Sequence, residues 1–467
     1  MLNEDILYLP VTELARRIRL RQLSPVQLAE SYLERSRNIG ARLNAYTTLT
    51  ADLAMEQAHA AEKEIAAGKY RGPLHGIPYA AKDLLAVKGY PTTWGARPYK
   101  DQQFDYDATV IKKLNAAGAV LIGKAAMIEL AGGLGYRYAT ASVSGATKNP
   151  WNEQYWTCGS SNGSAAIVAA GLAAFALGTE TWGSIICPSG FTAVSGLRPT
   201  FGRVGRYGAM ALAYSMDHIG PMARAADDCD LVLKTIAGHD PGDASSLPEA
   251  VAKYEGTTTP AKPLRLGWIA NQWKEISPEV NTAVMAARAV LGESHSVKLS
   301  TARLPEGPWE IAAGTIVAVE GAAAFRDLIQ SGKVADLNDP LGKIGGYMNE
   351  AISASDHMTA ERIRRIIQIK MAKVFNDLDV LVTASLPVTA PRLDANLDEA
   401  LTFPDPIGAI GNICALPAIS VLCGFDHNNL PIGIQFIGAP LEDGKVLEAA
   451  RIFQSQTDWH KRHPKLG

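Results

Sequence analysis

One stretch constrains this chain more than any other: Thr157 to Gly190, which reads TCGSSNGSAAIVAAGLAAFALGTETWGSIICPSG. Two clusters of glycine and hydroxyl residues, Gly159-Ser160-Ser161-Asn162-Gly163-Ser164 and Thr179-Glu180-Thr181-Trp182-Gly183-Ser184, flank a small-residue apolar segment. Small residues let backbone approach backbone, or approach a ligand, more closely than other types do. Ser160 lies in the first cluster and Ser184 in the second. A third piece upstream, His75-Gly76-Ile77-Pro78-Tyr79-Ala80-Ala81-Lys82-Asp83, places one lysine in an apolar run punctuated by Gly and Pro.

Composition bounds what these pieces can serve. With 467 residues, 47% hydrophobic and 20% charged, the chain has the make-up of a soluble globular protein with ample core. No linker or charge block divides it, so residues 1–467 are expected to form one domain. A net charge of −2 argues against a nucleic-acid or anionic-membrane partner. The start, MLNEDILYLP, has neither the basic residues nor the apolar core of a signal peptide. Ala165–Leu177 is too short to span a bilayer and is expected to be a buried helix. The five cysteines show no CxxC spacing, which fits a reducing cytoplasm.

Elsewhere helices and short apolar strands alternate, the mark of an α/β sheet. Helical patterns cover 11–20, 24–37, 51–67, 107–117, 225–237, 279–291, the region around 317–330, 357–378 and 441–454. Strand patterns cover 119–122, 264–269, 380–383 and 431–437. The polar, Gly- and Pro-bearing run from Pro241 to Pro263 reads as a surface excursion.

A serine becomes a useful nucleophile only when a neighbour takes its proton. Gly159-Ser160-Ser161-Asn162-Gly163 fits the G-x-S-x-G elbow centred on Ser161, yet an elbow follows a buried strand, and the residues before this one are Asn149-Pro150-Trp151-Asn152-Glu153-Gln154-Tyr155-Trp156. Lysine can replace histidine as the base. At its ordinary pKa only about one lysine in two thousand is neutral at pH 7, and an apolar site that lowers the pKa by about three units, at a cost of about 4 kcal/mol, makes the neutral form common. Lys82 has the apolar surroundings that this needs. Successive backbone N–H groups in Thr181-Trp182-Gly183-Ser184 suit an oxyanion nest.

Taken together, these motifs resemble the amidase signature family. The resemblance rests on Gly76-Ile77-Pro78, Lys82-Asp83, Gly159-Ser160-Ser161, Gly163-Ser164-Ala165, Ala176-Leu177-Gly178-Thr179 and Gly183-Ser184-Ile185, and it extends through Gly196-Leu197-Arg198-Pro199-Thr200, Asp217 to Pro221 and Leu430 to Gln435. It covers about residues 10–456. It implies a single α/β/α domain with a large twisted mixed sheet covered by helices, a catalytic core at about 70–225, and a part at about 375–456 completing the same sheet. It also implies a Ser-cisSer-Lys triad: Ser184 the nucleophile, Ser160 the bridging serine entered by a cis peptide, Lys82 the base. The N–H groups of Thr181, Trp182, Gly183 and Ser184 would hold the oxyanion. Where family members often carry Asp-x-Gly-Gly-Ser-Ile-Arg, this chain has Glu180-Thr181-Trp182-Gly183-Ser184-Ile185-Ile186, so Ile186 removes an arginine that could pair with Glu180.

The expected reaction is hydrolysis of a C–N bond beside a carbonyl, through a Ser184 acyl-enzyme. Trp156, Tyr155, Trp182, Tyr136 and Tyr138 lie near the motifs and suggest small apolar or aryl amides as substrates, with carbamates and esters as side activities. Ala131, Tyr136 and Trp182 are the expected substrate contacts. No metal or organic cofactor is expected, since the histidines are scattered and no H-E-x-x-H or phosphate loop occurs. The expected state is a monomer or homodimer acting on a small molecule. Two rivals stand beside this reading: the glutaminase subunit of a tRNA-dependent amidotransferase, which needs a partner chain, and a non-catalytic binding protein.

Overall fold

In the computed structural model, which describes residues 2–257 and 262–466, the apolar runs of the sequence become the strands of one sheet. In chain order they are β1 (Tyr46–Leu49), β2 (Pro78–Lys82), β3 (Val120–Ala125), β4 (Phe175–Glu180), β5 (Ser195–Arg198), β6 (His218–Ala223), β7 (Leu264–Ile269), β8 (Val297–Ala302), β9 (Val380–Ala384), β10 (Ala418–Phe425) and β11 (Pro431–Gly438). Their order across the 11-stranded sheet is β1-β3-β2-β4-β6-β5-β10-β11-β9-β7-β8. β3, β2 and β4 run parallel, as do β9, β7 and β8, and the remaining pairings are antiparallel. The sheet is therefore mixed, and the pairing of β5 with β10 joins its two halves. Strands β2, β3, β4, β6 and β9 are buried along their whole length, which fits their near-continuous apolar composition and a sheet covered by helices.

The helices follow the sequence pattern closely where it is strongly periodic. Val11, Leu14, Ala15 and Ile18 form the buried stripe of the helix Val11–Arg19. The next, Pro25–Arg35, starts where Ser24 accepts a hydrogen bond from the Gln27 N–H, with proline in the first turn. The run Ala165–Leu177 departs from expectation. A helix occupies Asn162–Ala169, and the chain turns at Gly171 (φ +63°) and enters β4 at Phe175. Gly171 packs under the ring of Tyr8, where a Cβ would stand 2.9 Å from the ring. Periodicity cannot separate a buried helix from a buried strand in so uniform a run. Within the excursion from Pro241 to Pro263, Glu249–Ala252 forms a short helix, and residues 258–261 lie outside the described residues. Among the described residues, no helix is long and apolar enough to cross a membrane.

Candidate active site

Lys82 is the last residue of β2, and the adjacent parallel strand β4 carries Thr179 near its own carboxyl end. That end of a parallel sheet is where α/β proteins place their ligands. The Lys82 side chain is fully buried, and its Nζ lies 2.7 Å from Ser160 Oγ, 2.9 Å from Ser161 Oγ, and 2.9 Å from Thr179 Oγ1. The neighbouring Asp83 does not neutralise it. Asp83 is paired instead with the buried Lys124, at 2.9 Å, and accepts from the Thr93 hydroxyl. Left among neutral hydroxyls, Lys82 has its pKa pushed down by burial to about 7, with Asp217 and Glu180 opposing the shift at longer range.

The hydroxyl of Ser161 donates to the Thr179 carbonyl (3.0 Å) and its oxygen accepts from the Thr179 N–H (3.2 Å). Its proton is thus committed, so toward Lys82 it can only accept. A neutral lysine has two N–H groups and one lone pair. With the two donated to Ser161 and Thr179, the lone pair remains for the Ser160 hydroxyl. Ser161 sits at the start of the helix Asn162–Ala169, and the strand before it, Asn152–Trp156, belongs to a separate two-stranded sheet. The elbow geometry is accordingly absent. The Gly159–Ser160 peptide is cis, as the resemblance implies.

Ser184 stands in a loop between β4 and the helix Ile186–Thr192. Glu180 closes this loop from inside: one carboxylate oxygen accepts from the N–H groups of Ile185 (2.8 Å) and Ile186 (3.0 Å). The other accepts from Arg198, at 2.5 Å, and from Asn412. Burial resists ionisation of Glu180, but Arg198 and the two N–H groups outweigh it and hold the carboxyl below its usual range. Arg198, from β5, thus supplies the partner that Ile186 does not. Gly183 adopts φ +76°, a left-handed conformation that suits glycine, at the turn of the loop. Among the described residues, none of the backbone N–H groups of Thr181, Trp182, Gly183 and Ser184 is given to a protein acceptor. Thr181 donates its hydroxyl to Asp217, at 2.5 Å, and Asp217 also accepts from the N–H groups of Leu212 and Ala213. That ties the loop to the segment before β6.

Ser184 and Gly159 line a cavity of about 530 Å³. All three expected substrate contacts, Ala131, Tyr136 and Trp182, are on its wall. Of the other aromatics near the motifs, Trp156 is fully buried and supports Tyr136 edge-on, with ring centroids 6.1 Å apart, while neither Tyr155 nor Tyr138 lines the cavity. Two wall residues have no signal in the local sequence, Glu310 and Asp405. Asp405 accepts from Trp182 Nε1 (2.9 Å) and caps the helix Pro406–Ile413 through the Gly408 N–H, while its own N–H donates to Glu310 at 2.6 Å. Burial pushes the Asp405 carboxyl up to about 6. Both lie more than a hundred residues from the serine clusters, and only the fold brings them near.

The cysteines also differ from expectation. Cys158 and Cys187 are joined in a disulfide, with Cα atoms 5.9 Å apart, and Cys229, Cys414 and Cys423 are free and buried. No spacing rule reveals such a pair, because it depends on two loops meeting in space. The one cluster of potential metal ligands among the described residues, Glu279, Asp426 and His427, is a surface group remote in sequence from these segments.

The Amidase family profile matches residues 27–447. The chain belongs to the amidase signature family. It is 35% identical to the A subunit of glutamyl-tRNA(Gln) amidotransferase from Thermosynechococcus vestitus, over 98% of this chain and 99% of that one. It is 36% identical to the protein of the same name from Moorella thermoacetica, over 99% of each. Among solved structures, peptide amidase from Stenotrophomonas maltophilia superposes with a TM-score of 0.86 at 27% identity, over 98% of both chains. The family is that of an amidase-type hydrolase, with the expected large mixed sheet covered by helices. Two expectations are corrected. Small apolar or aryl amides were inferred from aromatics near the motifs, whereas these full-length relatives carry the name of an amidotransferase subunit, the first of the two rival readings. The same name replaces the expected monomer or homodimer acting alone on a small molecule. The physical reason for the first error lies in the cavity: of the aromatics named, only Tyr136 and Trp182 reach it, and carboxylates share its wall.

Proposed function

We propose that this chain is the amide-cleaving subunit of an amidotransferase, releasing ammonia from a carboxamide donor that also carries an ammonium group, glutamine first. The observation that carries this reading is the pair of carboxylates, Asp405 and Glu310, on the wall of the cavity that holds Ser184. Carboxylates in a partly dry cleft attract an ammonium and disfavour an apolar acyl chain. The bond cleaved is a non-peptide C–N bond, and residues 1–467 act as one amidase domain, the continuous sheet supporting that reading.

In the mechanism, Ser184 Oγ attacks the amide carbonyl while Ser160 takes its proton and passes its own to neutral Lys82. The oxyanion forms against the N–H groups of Thr181, Trp182, Gly183 and Ser184. The relay then runs in reverse, and the lysine proton reaches the leaving nitrogen by way of Ser160, so that ammonia departs rather than an amide anion. Water enters, the relay activates it in turn, and the acyl-enzyme hydrolyses to the free acid. Ala131, Tyr136 and Trp182 contact the donor, Asp405 receives its ammonium, and a second subunit consumes the ammonia. The expected location is the cytoplasm.

Ammonia release from L-glutamine, N-acetylglutamine and butyramide tests this, in wild type and Asp405→Asn. Glutamine should be the best of the three, and Asp405→Asn should raise its KM by about tenfold, the worth of one charge-assisted contact, while leaving butyramide nearly unchanged. Equal turnover of all three by wild type would sink the ammonium reading.

A further inference from the structure

The two segments that hold Ser160 and Ser184 are fastened to each other by one covalent bond beside the hydrogen bonds of Ser161. Cys158 immediately precedes Gly159-Ser160, and Cys187 lies in the first turn of the helix that follows Ser184. Among the described residues, the hydrogen bonds that join them run through Ser161: its side chain makes two with the Thr179 backbone at the start of the second cluster (3.0 and 3.2 Å), and its N–H donates to the Ser184 carbonyl in a long contact of 3.3 Å. The Cys187 N–H donates to the Gly183 carbonyl at 2.8 Å, so that sulfur is coupled to the turn carrying the nest. Cys158 takes a left-handed conformation (φ +65°), unusual for a residue with a Cβ, which aims its side chain across the cavity wall to its partner. Cys158 and Cys187 are 5% and 8% exposed, and both line the same cavity as Ser184.

We infer that the Cys158–Cys187 bridge is a thiol-exchange site that positions the Ser160 segment against the Ser184 segment, so that its reduction by a dithiol lowers turnover and its reoxidation restores it. The inference rests on the roles given to Ser160 and Ser184 above. A proton relay tolerates little displacement, since a misplacement of about 1 Å can cost about a hundredfold in rate. Opening the bridge leaves Ser184 itself held to the Ser160 segment by the long 3.3 Å contact, since the Ser161–Thr179 hydrogen bonds anchor only the start of the second cluster. The chemistry balances with the dithiol as reductant. One thiolate enters the cavity and attacks a bridge sulfur, the S–S bond breaks to release the other sulfur as a thiolate, and a mixed disulfide forms. The second thiol of the reductant then displaces the first protein sulfur, so the dithiol leaves as its cyclic disulfide and both cysteines take up protons. The other thiols do not compete: burial pushes Cys414 up to about 12 and raises Cys423 and Cys229 well above the ordinary thiol range.

The experiment uses the full chain before and after dithiothreitol, with thiols counted under denaturing conditions. Ser184 reactivity is read in two ways: the labelling rate with a fluorophosphonate, and kcat and KM for glutamine. Oxidised protein should give three thiols and reduced protein five. On reduction, labelling and kcat should fall between about tenfold and a hundredfold with KM changed less than about twofold, and removal of the reductant in air should restore both. The double variant Cys158→Ala/Cys187→Ala should match the reduced enzyme and ignore dithiothreitol. Five thiols in the untreated protein, or unchanged labelling and kcat after reduction, overturns the inference. Altered labelling without glutamine turnover supports the bridge and removes the glutamine reading. Absence of labelling in either state removes the nucleophile role of Ser184 and the positioning role with it.

Discussion

At the scale of single residues, the lysine is defined by what it lacks. Asp83, next to Lys82 in sequence, is engaged by Lys124, and the atoms around Nζ are uncharged, three hydroxyls and the Thr179 carbonyl. With its pKa lowered by burial to about 7, Lys82 is protonated below that pH and neutral above it. Because the neutral form is the base, kcat/KM for amide cleavage should rise as pH increases through about 7 and then level off. A profile from about pH 5.5 to 9 checks this, and a flat profile would move the base elsewhere. Lys82→Ala should lower amide turnover by about 10²–10⁴-fold, the usual worth of a positioned base. The histidine nearest this site is no rival. Burial pushes His218 down to about 3, and its Nδ1 already faces the Glu180 carbonyl at 3.2 Å. Glu180 makes a different prediction. Replacing it by Gln strands Arg198 without its buried counter-charge, so Glu180→Gln should destabilise the fold by about 3–5 kcal/mol and lower kcat with it. Denaturant unfolding beside kinetics measures both, and full stability would show that the amide oxygen left at this position and the Leu416 carbonyl, which already accepts from Arg198, suffice.

At the scale of elements, the site depends on how closely the helix Asn162–Ala169 meets β3. A Cβ on Gly163 would overlap the Ala126 N and stand 2.5 Å from both the Ala126 O and the Ala45 O. These backbone atoms flank β3 and β1 and are hydrogen-bonded to each other (Ala126 N–H to Ala45 O, 2.9 Å), so they cannot give way as a side-chain tip can. Gly163→Ala should therefore cost about 1–3 kcal/mol and displace Ser160 and Ser161, lowering kcat at temperatures where the variant remains folded. Thermal unfolding with kinetics on the same preparation reads the two effects, and wild-type values for both would mean the helix can slide. The elements legible in the sequence are those with periodic faces, such as Val11–Arg19 with its stripe at Val11, Leu14, Ala15 and Ile18. Less legible are β5 and β6, whose Gly196, Gly220 and Pro221, with Pro199 directly after β5, give the local sequence the character of turns. Pro221 lies inside β6 opposite Leu177, and the sheet accepts it because neighbouring pairs carry the ladder, an override of local propensity by tertiary pairing.

At the scale of the whole molecule, β10 and β11 belong to the far end of the chain, yet β10 pairs with β5 and thereby joins the sheet that carries Lys82 and Thr179. The Glu180 network repeats this closure, drawing Arg198 and Asn412 from separate elements. If it serves in an amidotransferase, the chain should copurify with a different polypeptide from its native source, and the pair should release and use ammonia faster than the chain alone. Light scattering and mass spectrometry of the tagged protein decide this, and a fully active monomer or homodimer would overturn the proposed role.

The motifs around Lys82, Ser160 and Ser184 are readable from the sequence because each is a short run in which residue type reports local need: glycine where the chain turns left-handed or packs against backbone, hydroxyls where a buried lysine is to be hydrogen-bonded. Family membership follows from the resemblance those runs carry, and the mixed sheet is what that resemblance implies. The partners of the site were decided by the tertiary structure alone. Arg198 for Glu180, Lys124 for Asp83, Asp405 and Glu310 on the cavity wall, and Cys187 for Cys158 are each separated in sequence from what they touch. Contacts of that kind arise when strands distant in the chain are paired side by side, and local sequence carries no record of which strand will be the neighbour.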